Sequence, residues 1–112
     1  MSKTKPYKDR KESDHIIREF KSNISERRLM WHRDKYDRII EPLHQTDWKF
    51  QFDNQVPIPL SKLFIPKETY HRLIKGSGDL TLKIEELWIV NVKTVVVKNV
   101  AVIVLAVNYE IK

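Results

Sequence analysis

Between Trp48 and Asp53 the chain alternates. Trp48, Phe50 and Phe52 are apolar, while Lys49, Gln51 and Asp53 are polar, the two-residue period of a strand with one buried face. Asn54, Pro57 and Pro59 follow, which predicts a turn and an extended edge, because proline supplies no ladder donor. A further short strand is predicted at Lys62–Pro66. In the stretch 69–86, Leu80, Leu82 and Ile84 alternate with Thr81, Lys83 and Glu85, and Gly76-Ser77-Gly78 reads as the turn of a hairpin joining two strands. Residues 14–29 are ambiguous. Ile16, Ile17, Phe20 and Ile24 fit a helix capped by Ser13 or Asp14, and they also fit a strand followed by a helical turn at Ser25–Arg28.

The two ends differ from this middle. Residues 1–12 carry many charges, Pro6 and no large aliphatic residue, so a flexible, disordered basic arm is expected. Residues 87–112 contain nine valines and neither glycine nor proline, a density of β-branched residues that favours strands. If Val100, Val102, Val104 and Ala106 face one way, Ala101, Ile103, Leu105 and Val107 face the other. Such a strand needs cover on both sides or a second subunit. Several short strands at close spacing predict an all-β sandwich or barrel, a single domain over 13–112 with 87–112 as a C-terminal extension.

Charge and composition narrow the partners. The net charge is +6, but residues 1–30 hold nine Lys or Arg against five acids, whereas residues 31–112 hold twelve against ten. The basic segment reads as a solubilising end rather than a phosphate-binding one. A nucleic-acid surface using Trp31, Trp48 and Tyr70 has no recognised motif behind it. The absence of cysteine excludes disulfides, thiolate metal sites and cysteine nucleophiles. The start is polar, and the apolar stretch near the end is interrupted by Lys93, Lys98 and Asn99. No membrane span and a cytoplasmic location are therefore expected.

Candidate chemistry lies in MWHRDKYDR. His32 and Asp34 leave one face of an extended chain, and His71 arrives from another strand. Two histidines and a carboxylate form a facial set that holds a divalent metal while leaving positions open. Asp37 is a candidate fourth ligand, or an acceptor that orients a histidine through its free ring nitrogen, although three residues beyond Asp34 it points to the opposite face unless a bulge intervenes. The alternative stays open: His32, Arg33 and Asp34 form surface ion pairs, and His71 beside Tyr70 is a hydrogen-bonded wall residue. The HRD triplet is not a kinase loop, because Ile39 stands where asparagine is required.

Taken together, MWHRDKYDRIIEPL, DWKFQFDNQVPIPL and LFIPKETYHRLIKGSGDLTLKI resemble the cupins, proteins with a double-stranded β-helix barrel. They are similar in particular to small cupin-like proteins of bacteriophage and bacterial genomes. The resemblance covers residues 28–86. His32 matches the first histidine of the cupin motif, and Pro66 and His71 match the proline and histidine of the second. Asp34 replaces a histidine, and Leu60 and Glu68 stand where the family usually has glycine. The His-x-Asp pair also resembles the iron and 2-oxoglutarate oxygenases, for whose co-substrate Lys83 is the nearest basic residue.

The resemblance implies a small cupin-like β-barrel holding Fe, Mn, Ni or Zn on His32, Asp34 and His71. Arg33, Arg38, Arg72 and Lys75 would anchor a small anionic molecule at the rim. The alternative is a non-catalytic binding or assembly module without metal, a homodimer through the valine-rich strand.

Overall fold

The computed structural model describes the backbone of residues 5–97 and 100–111 and the side chains of residues 5–87. The described strands are β1 Lys8–Lys11, β2 Ile16–Phe20, β3 Asp37–Pro42, β4 Lys49–Phe52, β5 Ile58–Pro59, β6 Leu63–Ile65, β7 His71–Ile74, β8 Leu80–Val97 and β9 Val100–Ile111. Among the described residues there is one 3-10 turn, Glu26–Arg28, capped by the Ser25 side chain accepting from Arg27 N. The molecule is all-β, and its pairs are antiparallel. One sheet runs β1-β2-β8-β3-β6 with β9 added to β8, and a smaller one runs β5-β4-β7.

The core lies where the apolar faces of the sheets meet. Phe20, Ile40, Ile65, Leu80, Leu82 and Ile84 come from the larger sheet, Phe50 comes from the smaller, and Trp48 immediately precedes β4. Register explains which residues share a face. Ile40 pairs with Ile84, so Arg38 pairs with Glu86 two residues further along, on the same side. An ion pair is thereby carried to the end of the apolar row, with Arg38 Nη2 2.8 Å from Glu86 Oε2.

Two expectations are corrected. The first is the arm: over the described residues 5–12, Lys8–Lys11 forms β1, paired with β2 from Lys8↔Glu19 to Lys11↔Ile16. Tyr7 packs its ring 5.5 Å from Phe20, and Arg18 stacks 3.7 Å over Tyr7. The strand is wholly charged and exposed, which suits an edge that must not recruit another chain. Between the two readings of 14–29, the strand followed by a helical turn is the one the structure adopts.

The second is the glycine hairpin. β7 pairs with β4, whereas β8 belongs to the other sheet, so residues 75–79 cross between sheets. Neither glycine has a positive φ. Gly76 instead lets the backbone press against Asp47 and Trp48, where a Cβ would meet Trp48 N at 2.7 Å. Ser77 N donates to Asp47 Oδ1 at 2.9 Å and Trp48 Nε1 donates to the Gly78 carbonyl at 2.7 Å.

Trp48, expected on the apolar face of its strand, is 1% exposed and serves the core, so it offers no stacking surface. Past Leu87, the described pairing of β8 is with β9 alone, so the two form a hairpin that outruns the sheet. The expected outward and inward facing of the valines between 88 and 112 concerns side chains outside the described residues. No described helix is long and apolar enough to cross a membrane.

Candidate metal centre

A two-residue bridge between separate segments builds the site. His32 N donates to the His71 carbonyl at 3.0 Å, and His71 N donates to the His32 carbonyl at 2.9 Å. Directly paired residues project to one side, and the imidazole centroids are 4.3 Å apart. Asp34 leaves the same side of the chain. Its carboxylate lies 3.3 Å from His71 Nε2 and 3.9 Å from His32 Nε2. The three ligand atoms lie within 4.8 Å of one another, so small side-chain rotations bring them to the roughly 3.0–3.4 Å mutual spacing of ligands on one ion.

The loop before His71 is tied to the loop after His32. Glu68 N donates to the Asp34 carbonyl at 2.8 Å, and Lys67 N donates to Asp37 Oδ1 at 2.8 Å. Glu68 takes a φ of 60°, the left-handed conformation that glycine adopts without cost. Its Oε2 lies 3.3 Å from Arg33 Nε.

Hydrogen bonds fix the tautomers. A carbonyl only accepts, so His32 Nδ1 donates to the Met30 carbonyl at 3.0 Å and His71 Nδ1 donates to the Thr69 carbonyl at 2.8 Å. In the neutral rings both Nε2 atoms then carry lone pairs toward the Asp34 carboxylate. Burial holds His32 below its ordinary pKa, which favours that neutral form. Asp34 Oδ2 is buried without a hydrogen-bond donor. Its 3.3 Å separation from His71 Nε2 exceeds the ~2.7–2.9 Å of a charge-assisted bond, so a proton placed there makes only a loose pair. Burial alone would raise the Asp34 carboxyl, but His71, Arg38 and His32 overcome it, and the group sits below its ordinary value.

Above the triad is a cavity of about 280 Å³. Its walls are mainly core residues, among them Phe50, Ile65, Leu73, Leu82 and Ile84, and Tyr7, Leu29 and Met30 also line it. Arg18, Arg28 and Arg38 contribute the positive charge of the lining. Arg18 is held by both Asp9 oxygens at 2.7 and 2.9 Å.

Of the expected anchors, Arg38 lines this cavity, 3.4 Å from Asp34 Oδ1. Arg33, Arg72 and Lys75 do not. Arg33 lies over Tyr70 at 5.3 Å, and Arg72 lies over Trp31 at 4.7 Å. Neighbours of an inward histidine in an extended chain point outward, which removes both arginines from the site. Lys75 Nζ donates to the Ile24 carbonyl at 2.8 Å. Asp37 is also displaced from its expected place beside a histidine, since its Oδ1 accepts from Lys67 N and backbone carbonyls take the two Nδ1 protons. Arg18 escaped the sequence reading, although a charge between Ile16 and Phe20 on one strand face was a usable signal.

No family model matches the chain. No curated protein matches it either. Among solved structures, it is similar to the crystal structure of protein NMB1881 from Neisseria meningitidis, at 13% sequence identity and a TM-score of 0.49, covering 75% of this chain and 84% of that one.

Proposed function

We propose that this chain is a small cupin-type protein that holds one divalent transition metal on His32 Nε2, His71 Nε2 and the Asp34 carboxylate, and presents it to a small anionic molecule in the adjoining cavity. The observation that carries this reading is the convergence of three acceptors with no donor among them: two Nε2 lone pairs and a buried carboxylate oxygen. A cation resolves that arrangement. The mixed nitrogen and oxygen set suits Fe(II), Mn(II), Ni(II) or Zn(II), and three protein ligands leave positions open. When bound, such an ion supplies a Lewis acid facing the cavity. His32 is partly exposed and His71 buried, so the metal would enter from the His32 side.

The test is metal analysis of the intact chain purified without chelator, beside a His32→Ala, His71→Ala double variant checked for folding by circular dichroism. About one equivalent of metal that disappears in the variant supports the reading. Equal occupancy in both overturns it.

The β8–β9 hairpin supports a second reading, an assembly module. Its ribbon outruns the sheet, and a two-stranded ribbon alone is marginally stable in water. A second copy of the chain would cover it. Light scattering of the intact chain decides: a dimer mass supports this reading, and a monomer mass at all concentrations removes it.

A further inference from the structure

Walls and charge together define what the cavity accepts. Phe50, Ile65, Leu73, Leu82 and Ile84 offer no hydrogen bond to an occupant. A polyhydroxylated acid or inorganic phosphate placed there would lose water without compensation. At the triad end the opposite holds, because an apolar neutral molecule would leave the open metal positions and Arg38 without an anion.

The charges around the cavity set the head group. Arg18 is matched by Asp9, and Arg38 by Glu86. A divalent ion set against the one Asp34 carboxylate leaves positive charge at the triad, and Arg28 also lines the cavity, so the head group is an anion. The volume, about 280 Å³, has room for roughly nine waters at ~30 Å³ each, which fits a short alkyl chain or one aromatic ring.

From these we infer that the ligand is a carboxylate with a compact apolar body. Its head sits on the open metal positions beside Arg38, and its body lies along Phe50, Ile65 and Leu73. This inference rests on the proposed metal site and adds the ligand class. Affinity should rise about three- to fourfold per added methylene until the cavity is full. It should also depend on the metal, since without the ion the triad offers the carboxylate only acceptors.

The experiment is isothermal titration calorimetry on the full chain. Zinc is titrated first, then acetate, butanoate, hexanoate and octanoate into the zinc-loaded protein, with hexan-1-ol and inorganic phosphate as controls. Hexanoate is expected to bind at least tenfold more tightly than acetate, phosphate or hexan-1-ol, and at least tenfold more tightly than it binds zinc-free protein. Leu73→Ala should weaken hexanoate several-fold and leave acetate unchanged. If zinc binds but acetate or phosphate equals hexanoate, or no carboxylate binds, the ligand class is overturned while the metal site stands. Equal hexanoate binding with and without zinc overturns the placement of the head. Failure of zinc to bind in the first titration overturns the metal site and the inference together.

Discussion

Replacing Asp34 with asparagine separates a metal ligand from a structural ion pair, because the two roles predict opposite signs for stability. In the metal-free protein, Asp34 Oδ2 is a buried acceptor without a donor, and it faces the His71 Nε2 lone pair at 3.3 Å. An unsatisfied buried acceptor costs about 1–3 kcal/mol. Asp34→Asn keeps the shape and places an amide N–H toward His71 Nε2, so one acceptor is removed and the other gains a donor. The loss on the other side is small, since the Arg38 contact to Asp34 is 3.4 Å and Arg38 keeps its 2.8 Å bond to Glu86. The variant should therefore be as stable as the parent in chelator, or more stable by up to about 1 kcal/mol, roughly 4 °C in melting temperature for a domain of this size.

Metal affinity should move the other way, by more than about 100-fold, since loss of even an outer partner of a ligand costs 10–100-fold. Thermal melts in chelator, paired with zinc titrations, measure both. Destabilisation by more than about 2 kcal/mol with unchanged zinc affinity would instead identify Asp34 as the partner of Arg38 and a protonated His71.

Acidification should destabilise the metal-free chain. The pKa of His32 is lower in the folded state than its ordinary 6.5, so below that pH the unfolded chain takes up a proton that the native site resists. Melting temperature should thus decline from pH 7 downward, and His32→Gln should flatten the upper part of that decline; a parent curve level from pH 7.5 to 5.5 would contradict this. Gly76→Ala drives a methyl into the Asp47 carboxylate and the ring and backbone N of Trp48 and should cost about 1–3 kcal/mol in urea unfolding, with parental stability as the contrary result. Glu68→Val places a β-branched residue at a φ of 60° and should cost about 1–3 kcal/mol, whereas Glu68→Gly should be near neutral. Equal effects of the two would remove the backbone argument.

The alternating rows at Trp48–Phe52 and Leu80–Ile84 were legible because each strand has one buried and one solvated face, and period two follows from that. The His-x-Asp spacing was legible for the same reason. β1 was not, since an exposed edge strand of Lys, Asp and Arg has the composition of a disordered segment. β2 was ambiguous because Ile16, Ile17 and Phe20 satisfy both periods. Gly76 was misread because its need for a bare Cα comes from Trp48, a distant residue in sequence, and not from its own φ. Arg33 and Arg72 were placed near the metal by proximity in sequence, when strand parity sends them to the other face to stack on Tyr70 and Trp31. Arg38 shares its face with Ile40, so the same parity puts it in the cavity.

The proposed metal centre rests on two imidazoles that keep their Nδ1 protons on backbone carbonyls and offer Nε2 to a metal beside a carboxylate. Long-range proton–nitrogen NMR of the ¹⁵N-labelled chain observes those nitrogens directly, and the sequence has only four histidines to assign. One equivalent of zinc should shift Nε2 of His32 and His71 while their Nδ1 atoms stay protonated, with His15 and His44 unchanged. Four histidines that respond alike, or none that responds, would contradict it.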